Sequence, residues 1–297
     1  MKIAACLGVK DEVELIRAAV DHLRSIGVDH IIASDANSTD GTEVILAEMA
    51  KGPGFEVALF EDLHATDATE EAATAYIFAR ARAIGADWLL FCDADEFALP
   101  KTGQLRDVAA LAGADALIIP RYNLPLLQSG LRLPQSGPKS QPQNILVYAP
   151  DEAGIATQSR VRTNNDAPWI AAIPSPKLMV RPDRIRSTAE AHHNIIAADG
   201  ERVTTAVPKD LFIAHAPFST VGRFARKIAN IRILVEANGD QWGPNSAWHW
   251  KRWLENVDHR GGGAAELARN LVTPSELAEL RRLGIIKTAV EVWDRAT

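Results

Sequence analysis

The chain has 297 residues, 47% of them apolar and 24% charged, with a net charge of −6. That length suits one large α/β domain, or a domain with a helical appendage, and the composition is that of a globular protein. The acidic balance and the lack of any basic block argue against a general nucleic-acid grip and against a polybasic membrane anchor.

Residues 2–9 are apolar and read as a first strand, with Lys10-Asp11-Glu12 following at once. The run is too short for a secretory leader, and no later run approaches a membrane helix, so a cytoplasmic protein without a membrane span is expected. Residues 12–26 carry Val13, Ile16, Ala19, Val20 and Leu23 at helical spacing, with Gly27 as a C-terminal stop. Residues 28–34 read as a strand, Asp40-Gly41-Thr42-Glu43 has capping-box spacing, and a helix is expected from there to Gly52. A strand at 55–60, a helix at 68–84, and strands at 87–92 and 115–120 continue the alternation. Such alternation implies a mainly parallel sheet covered on both faces. The two cysteines, Cys6 and Cys92, each fall in a strand and read as buried free thiols.

Residues 121–145 are rich in Pro, Gly, Gln and Ser and give few helix or strand signals. A loop of that length in a compact domain is functional or mobile. Short strands are expected at 177–181 and 211–214, and helices at 219–236, 246–257 and 274–283. Thr273-Pro274-Ser275-Glu276 is a helix start with proline in the first turn. The expected organisation is an α/β half over 1–120, a second half of the same domain over 121–218, and a C-terminal helical extension over 219–297.

The run Trp88-Leu89-Leu90-Phe91-Cys92 ends abruptly in Asp93-Ala94-Asp95-Glu96-Phe97. Open α/β sheets bind ligands at the carboxyl ends of their strands. Two carboxylates one residue apart at such an edge repel unless a positive group joins them, and a hard divalent cation is the simplest such group. A polar strand end facing water is the competing reading. Asp35, closing the second strand, lies on the same edge. A calcium loop from Asp35, Asn37 and Thr39 fails, because its sixth and twelfth positions hold Asp40 and Leu46. Turn chemistry and helix capping account for Asn37, Ser38, Asp40 and Gly41. The P-loop and G-x-G-x-x-G fingerprints are absent.

Asp35-x-x-Ser38-Thr39-Asp40-Gly41-Thr42, followed some fifty residues on by Asp87-Trp88 and Asp93-Ala94-Asp95-Glu96-Phe97, resembles a GT-A-type glycosyltransferase of the family-2-like branch. The resemblance covers residues 1–120, and Lys10-Asp11-Glu12 departs at two of three positions from the Arg-Asn-Glu-like segment of that branch. It implies a GT-A (Rossmann-like) fold and a metal-dependent transfer of a sugar from a nucleotide-diphosphate sugar, a UDP-sugar above all, to a hydroxyl of a glycan or small-molecule acceptor. Carried over position by position, it implies Glu12 and Asp35 at the nucleoside, Asp93 at ribose or a metal-bound water, and Asp93 and Asp95 at Mn²⁺ or Mg²⁺. It also implies a histidine completing the metal shell, for which His215 after Leu211-Phe212-Ile213-Ala214 is the candidate. A core histidine bonded to backbone competes with that role.

A neutral imidazole near physiological pH suits a general base. His193 and Glu190 are the catalytic candidates, with Asp151 and Asp166 competing, and adjacent His192 and His193 face opposite ways on an extended segment. Arg223, Arg226 and Lys227 share a helix face and could hold a diphosphate, or simply be solvated. Trp250 and Trp253 have core spacing, Trp242 and Trp248 accompany them, and an aromatic segment there could shape an acceptor pocket. His259-Arg260-Gly261-Gly262-Gly263 reads as a flexible break. Two further functions fit less well. A nucleotidyltransferase would bring a Gly- and Arg-rich loop after the first strand. A non-catalytic nucleotide- or carbohydrate-binding module has no need of Asp93 and Asp95.

Overall fold

The computed structural model describes residues 1–60, 67–134, 142–150, 154–189, 192–197, 202–239 and 247–295. Glu190, Asp151 and Trp242 lie outside the described residues. The first half is β1 Ile3–Val9, α1 Ile16–Ser25, β2 His30–Asp35, α2 Thr42–Met49, β3 Phe55–Leu59, α3 Asp67–Ala83 and β4 Trp88–Asp93. It is followed by β5 Glu96–Pro100, β6 Ala116–Ile119 and β7 Arg121–Asn123.

A seven-stranded sheet runs in the order Thr205–Ala206, β6, Lys177–Val180, β4, β1, β2, β3. All its pairings are parallel except those of Lys177–Val180, which runs antiparallel to both β4 and β6. The fold is thus α/β, with a mainly parallel sheet flanked by helices. The central strands read as unbroken apolar runs because both faces are covered. Ile3, Ala5, Leu7 and Val9 pack with Ile16, Ala19, Val20 and Leu23 of α1, while Ala4 and Cys6 pack with Ile77, Phe78 and Ala81 of α3. Helix α1 begins at Ile16, four residues later than its apolar period suggests, because Glu12–Leu15 form a turn at the edge of the site. It stops at Gly27, which takes φ +90° while Val28 N–H returns to the Leu23 carbonyl at 3.0 Å.

A second sheet of three strands joins β5, Leu211–His215 and β7. The residues after the Asp-x-Asp element are therefore strand, antiparallel to Leu211–His215, which no local pattern predicts. Its register sets Glu96 opposite His215, and His215 opposite Asn123. Directly opposed residues share a face, so these three side chains form one row.

The C-terminal elements are α4 Gly154–Thr163, α5 Val221–Asn238, α6 Trp248–His259, α7 Gly262–Arg269 and α8 Pro274–Arg282. They share a core with the 126–172 region, in which Trp169, Phe218, Phe224 and Trp253 are buried. The helix start expected at Thr273–Glu276 forms and carries a capping box. The capping box expected at Asp40–Glu43 does not form, because Gly41 takes the capping position and Asp40 accepts from Thr42 and Val13. The glycine run at 261–263 makes a tight corner between α6 and α7, with Gly261 at φ +100° and Arg269 donating back to the Arg260 carbonyl, in place of a flexible break. Among the described residues no helix is long and apolar enough to cross a membrane.

Candidate functional site

The strand order brings Asp35 and Asp93 to one sheet edge, flanking the end of β1. Val9 pairs with Asp35 and Gly8 with Asp93. A Cβ on Gly8 would stand 2.7 Å from Asp93 Oδ1, so only glycine leaves room for that carboxylate.

The Ser-Thr-Asp-Gly-Thr element braces the loop after β2 against the loop after β1. Ser38 Oγ donates to Asp35 Oδ1 at 2.6 Å and accepts from Asp11 N–H at 2.9 Å. Thr39 N–H donates to Asp11 Oδ1 at 2.8 Å. Thr42 Oγ1 donates to Asp40 Oδ1 and accepts from Glu12 N–H, and Asp40 Oδ2 accepts from Val13 N–H. Asp11 and Asn37 sit in the left-handed region, at φ +54° and +57°. Asp and Asn tolerate that region better than most residues, and these hydrogen bonds hold them there. Asp35 is buried, and its Oδ2 has no partner among the described residues.

At the centre, Asp95 Oδ2 accepts from Arg223 Nη2 at 2.8 Å and Lys227 Nζ at 2.9 Å, with His215 Nε2 at 3.7 Å. Arg223 also grips Glu12 with two bonds, of 2.6 and 2.7 Å, and donates to the Ala216 and Pro217 carbonyls. All five of its N–H donors are thus used inside the protein. This buried arginine is neither a solvated helix residue nor a donor with N–H groups to spare. Lys227, one turn on, is partly exposed. Burial opposes ionisation of Asp95, but the cations Lys227 and Arg223 outweigh it and hold the carboxyl well below its usual range. Burial likewise raises Glu12, against the pull of Arg223.

Asp93 is half-exposed and pairs with Lys177 Nζ at 2.9 Å. Lys177 reaches this edge because its strand runs opposite to β4. Its ammonium is also 3.8 Å from Glu96 Oε2, and Glu96 binds Arg121 and accepts from Asp93 N–H. Burial alone would lower Lys177, but Asp93 and Glu96 hold it above its usual range. Burial would raise Asp93, and Lys177 brings it below.

Asp95, Glu96 and His215 each offer a ligand atom, all within 4.8 Å of one another. Asp93, expected as a ligand, is not in this group and pairs with Lys177. His215 is neutral, its pKa pushed down to about 4 by burial against the opposing pull of Asp95. Two carboxylate oxygens and a neutral imidazole nitrogen are a donor set that suits Mn²⁺ or Mg²⁺.

His192 and His193 lie in a turn, with His192 at φ +66°, and not on the expected extended segment. His192 stacks on Phe91 at 4.2 Å between ring centroids. His193 Nδ1 lies 2.6 Å from the Pro176 carbonyl, so Nδ1–H donates and Nε2 keeps its lone pair. Burial, then Lys177 and Arg121, push its pKa down to about 4. Asp166 is bound by Arg260 on the C-terminal side. Trp253 is core, while Trp248 and Trp250 are half-buried.

Glu96, Lys177 and Asn123 join the site, and His249 lies near its charges, although none of the four had a predicted role. The ring of His249 lies among Trp169, Trp248, Trp250 and Trp253, at 5.5 to 5.8 Å between centroids. It makes no hydrogen bond among the described residues. Burial, then the nearby charges of Lys227 and Arg121, push its pKa down to about 3.

No protein-family profile and no curated protein matches the chain. Solved structures similar to it include three of S. aureus TarS. TarS 1-349 in complex with UDP is 14% identical, with a TM-score of 0.40, over 90% of this chain and 80% of that one. TarS 1-349 in complex with UDP-GlcNAc is 14% identical, with a TM-score of 0.38, over 86% and 71%. A longer TarS structure is 15% identical, with a TM-score of 0.39, over 95% of this chain and 43% of that one.

Proposed function

We propose that the chain is a GT-A-type glycosyltransferase that moves a sugar from a nucleotide-diphosphate sugar, a UDP-sugar, to an acceptor hydroxyl. The observation that carries this reading is the meeting of Asp95 and Glu96, at the carboxyl edge of the parallel sheet, with the unprotonated imidazole of His215. Charge balance supports it. Glu12, Asp93, Asp95 and Glu96 are offset by Arg121, Lys177, Arg223 and Lys227, which leaves no surplus positive charge for a diphosphate. A divalent ion on Asp95 and His215 would supply that surplus and, as a Lewis acid, stabilise the departing diphosphate.

The residues of the chain divide the remaining work. Asp35, with its unpaired oxygen, takes the nucleoside, and the half-exposed Asp93 takes ribose or a metal-bound water. Glu12 and Arg223, whose polar atoms are spent on each other and on Asp95, position that carboxylate and do not touch the donor. Lys227 turns from Asp95 toward the diphosphate. His193 accepts the proton of the acceptor hydroxyl at Nε2 as its oxygen attacks the anomeric carbon, and the sugar–phosphate bond breaks with its electron pair going to the diphosphate. Glu190 stays a candidate for the same proton transfer. The 1–120 half holds the donor. The 121–218 half and the 219–297 extension, with His249 among its tryptophans, form the acceptor side.

Incubation with Mn²⁺ and a panel of UDP-sugars tests the reaction class. Release of UDP without pyrophosphate is expected. Pyrophosphate release from UTP and a sugar phosphate would make the chain a nucleotidyltransferase, and no turnover with bound nucleotide would make it a binding module.

A further inference from the structure

The row Glu96–His215–Asn123 holds a device that sets which nitrogen of His215 carries the proton. Asn123 is fully buried. Its Nδ2 donates to the Ile170 carbonyl at 2.9 Å and to the Ala172 carbonyl at 2.8 Å. Both neighbours are acceptors only, so the amide cannot be turned over without setting its oxygen against two oxygens. Both N–H bonds are then used, and Oδ1 is left facing His215 Nδ1 at 2.7 Å. An amide oxygen only accepts, so Nδ1 carries the hydrogen. In the neutral ring Nε2 is then bare, and it is the nitrogen that faces Asp95 Oδ2 at 3.7 Å. The charges of Arg223 and Lys227 on Asp95 Oδ2 offset the repulsion between these two lone-pair groups.

The carbonyls that orient Asn123 are themselves fixed from the C-terminal side. Ile170 N–H donates to Asn270 Oδ1 at 2.8 Å, and Asn270 Nδ2 donates to the Glu266 carbonyl at 2.8 Å. Glu266, fully buried, accepts from Asn256 Nδ2 at 2.7 Å and from Arg269 at 2.9 Å. Arg252 of α6 clamps the same segment at the carbonyls of Val161, Asn165 and Ala167.

We propose that Asn123 is a positioning residue that locks His215 as the Nδ1–H tautomer, presenting Nε2 to the metal, and that Asn270 extends this lock to the C-terminal helices. The role of Nε2 as a ligand rests on the function proposed above, whereas the tautomer does not. Partners behind a ligating histidine fix its tautomer and ring orientation, and their loss weakens metal binding by about 10- to 100-fold.

Nitrogen-15 NMR of histidine-labelled, metal-free protein at pH 7, with Mn²⁺ alone titrated afterwards, tests the proposal. His215 is assigned through His215→Gln. The wild type is expected to show the Nδ1–H pattern for His215. Asn123→Ala is expected to move it toward the Nε2–H pattern usual in water and to weaken Mn²⁺ by about 10- to 100-fold. Asn270→Ala, outside the site, is expected to weaken Mn²⁺ by a smaller factor with the far-ultraviolet spectrum unchanged. An Nε2–H signal for His215 in the wild type overturns the proposal, as does an unchanged His215 signal in folded Asn123→Ala. Asn270→Ala without effect on Mn²⁺ affinity overturns the extension to the C-terminal helices. If the wild type shows the Nδ1–H pattern but takes up no Mn²⁺, the metal reading falls and the tautomer lock stands.

Discussion

Replacing Arg223 by methionine should cost more stability than any exposed charge in the chain. The guanidinium is buried and makes two bonds to Glu12, one to Asp95 and two to backbone carbonyls. Methionine fills much of the volume but leaves the Glu12 carboxylate without either of its two hydrogen bonds and Asp95 with Lys227 as its main counter-charge. Removing one partner of a buried ion pair costs about 3–5 kcal/mol, because the other charge is stranded. Arg223→Lys keeps the charge but loses the planar fork, so it should recover only part of the loss. Urea unfolding followed by circular dichroism and by tryptophan fluorescence reads the change. Glu12→Gln in the same background should cost much less than it does alone, with a coupling of about 1–3 kcal/mol. A loss under about 1 kcal/mol for Arg223→Met, or strict additivity with Glu12→Gln, would refute the view that this arginine is an internal fastener.

Gly8→Ala places a methyl group 2.7 Å from Asp93 Oδ1 and should cost about 1–3 kcal/mol by overpacking. Asp93→Ala in the same chain should relieve most of that cost, and equal losses in both backgrounds would contradict the close approach. Lys227→Met should weaken UDP binding by about tenfold or more, the worth of a charge-assisted hydrogen bond. Lys227→Arg should restore part of it, and unchanged affinity in Lys227→Met would remove this lysine from the diphosphate. His22, whose ring nitrogen meets the Ala98 carbonyl at 2.7 Å, is pushed down to about 4 by burial, with that carbonyl opposing. Between pH 6.5 and 4 the unfolded chain binds a proton there that the folded chain refuses. Stability should therefore fall as pH drops through this window, by up to about 3 kcal/mol from this residue. His22→Gln should flatten the slope by that amount, and an unchanged slope would contradict the assignment.

The parallel half of the sheet was legible because unbroken apolar runs alternate with amphipathic helices, and Asp35, Asp93 and Asp95 close those runs. What lay outside local patterning was hidden. Phe97-Ala98-Leu99 gave no sign of belonging to a separate strand, because its partner, Leu211–His215, is over a hundred residues away. Lys177 precedes a short apolar run, as countless exposed lysines do, and only the antiparallel pairing with β4 turns it toward Asp93. Asn123 sat in a stretch read as irregular, and its role follows from register with His215, which no spacing along the chain reveals. The basic trio on α5 was visible as one face, but the inward burial of Arg223 depends on Glu12 from the far end of the sequence. Trp253 revealed its packing role by spacing, whereas Trp250, at the same spacing, is only half-buried, and His249 was masked by its aromatic neighbours.

The most direct test of the central claim is calorimetric binding of UDP with and without Mn²⁺, to the wild type and to Asp95→Asn. Binding that requires Mn²⁺ and is lost in Asp95→Asn is predicted. Tight UDP binding that is indifferent both to Mn²⁺ and to Asp95→Asn would contradict the metal–diphosphate site, and with it the account of how this sheet edge works.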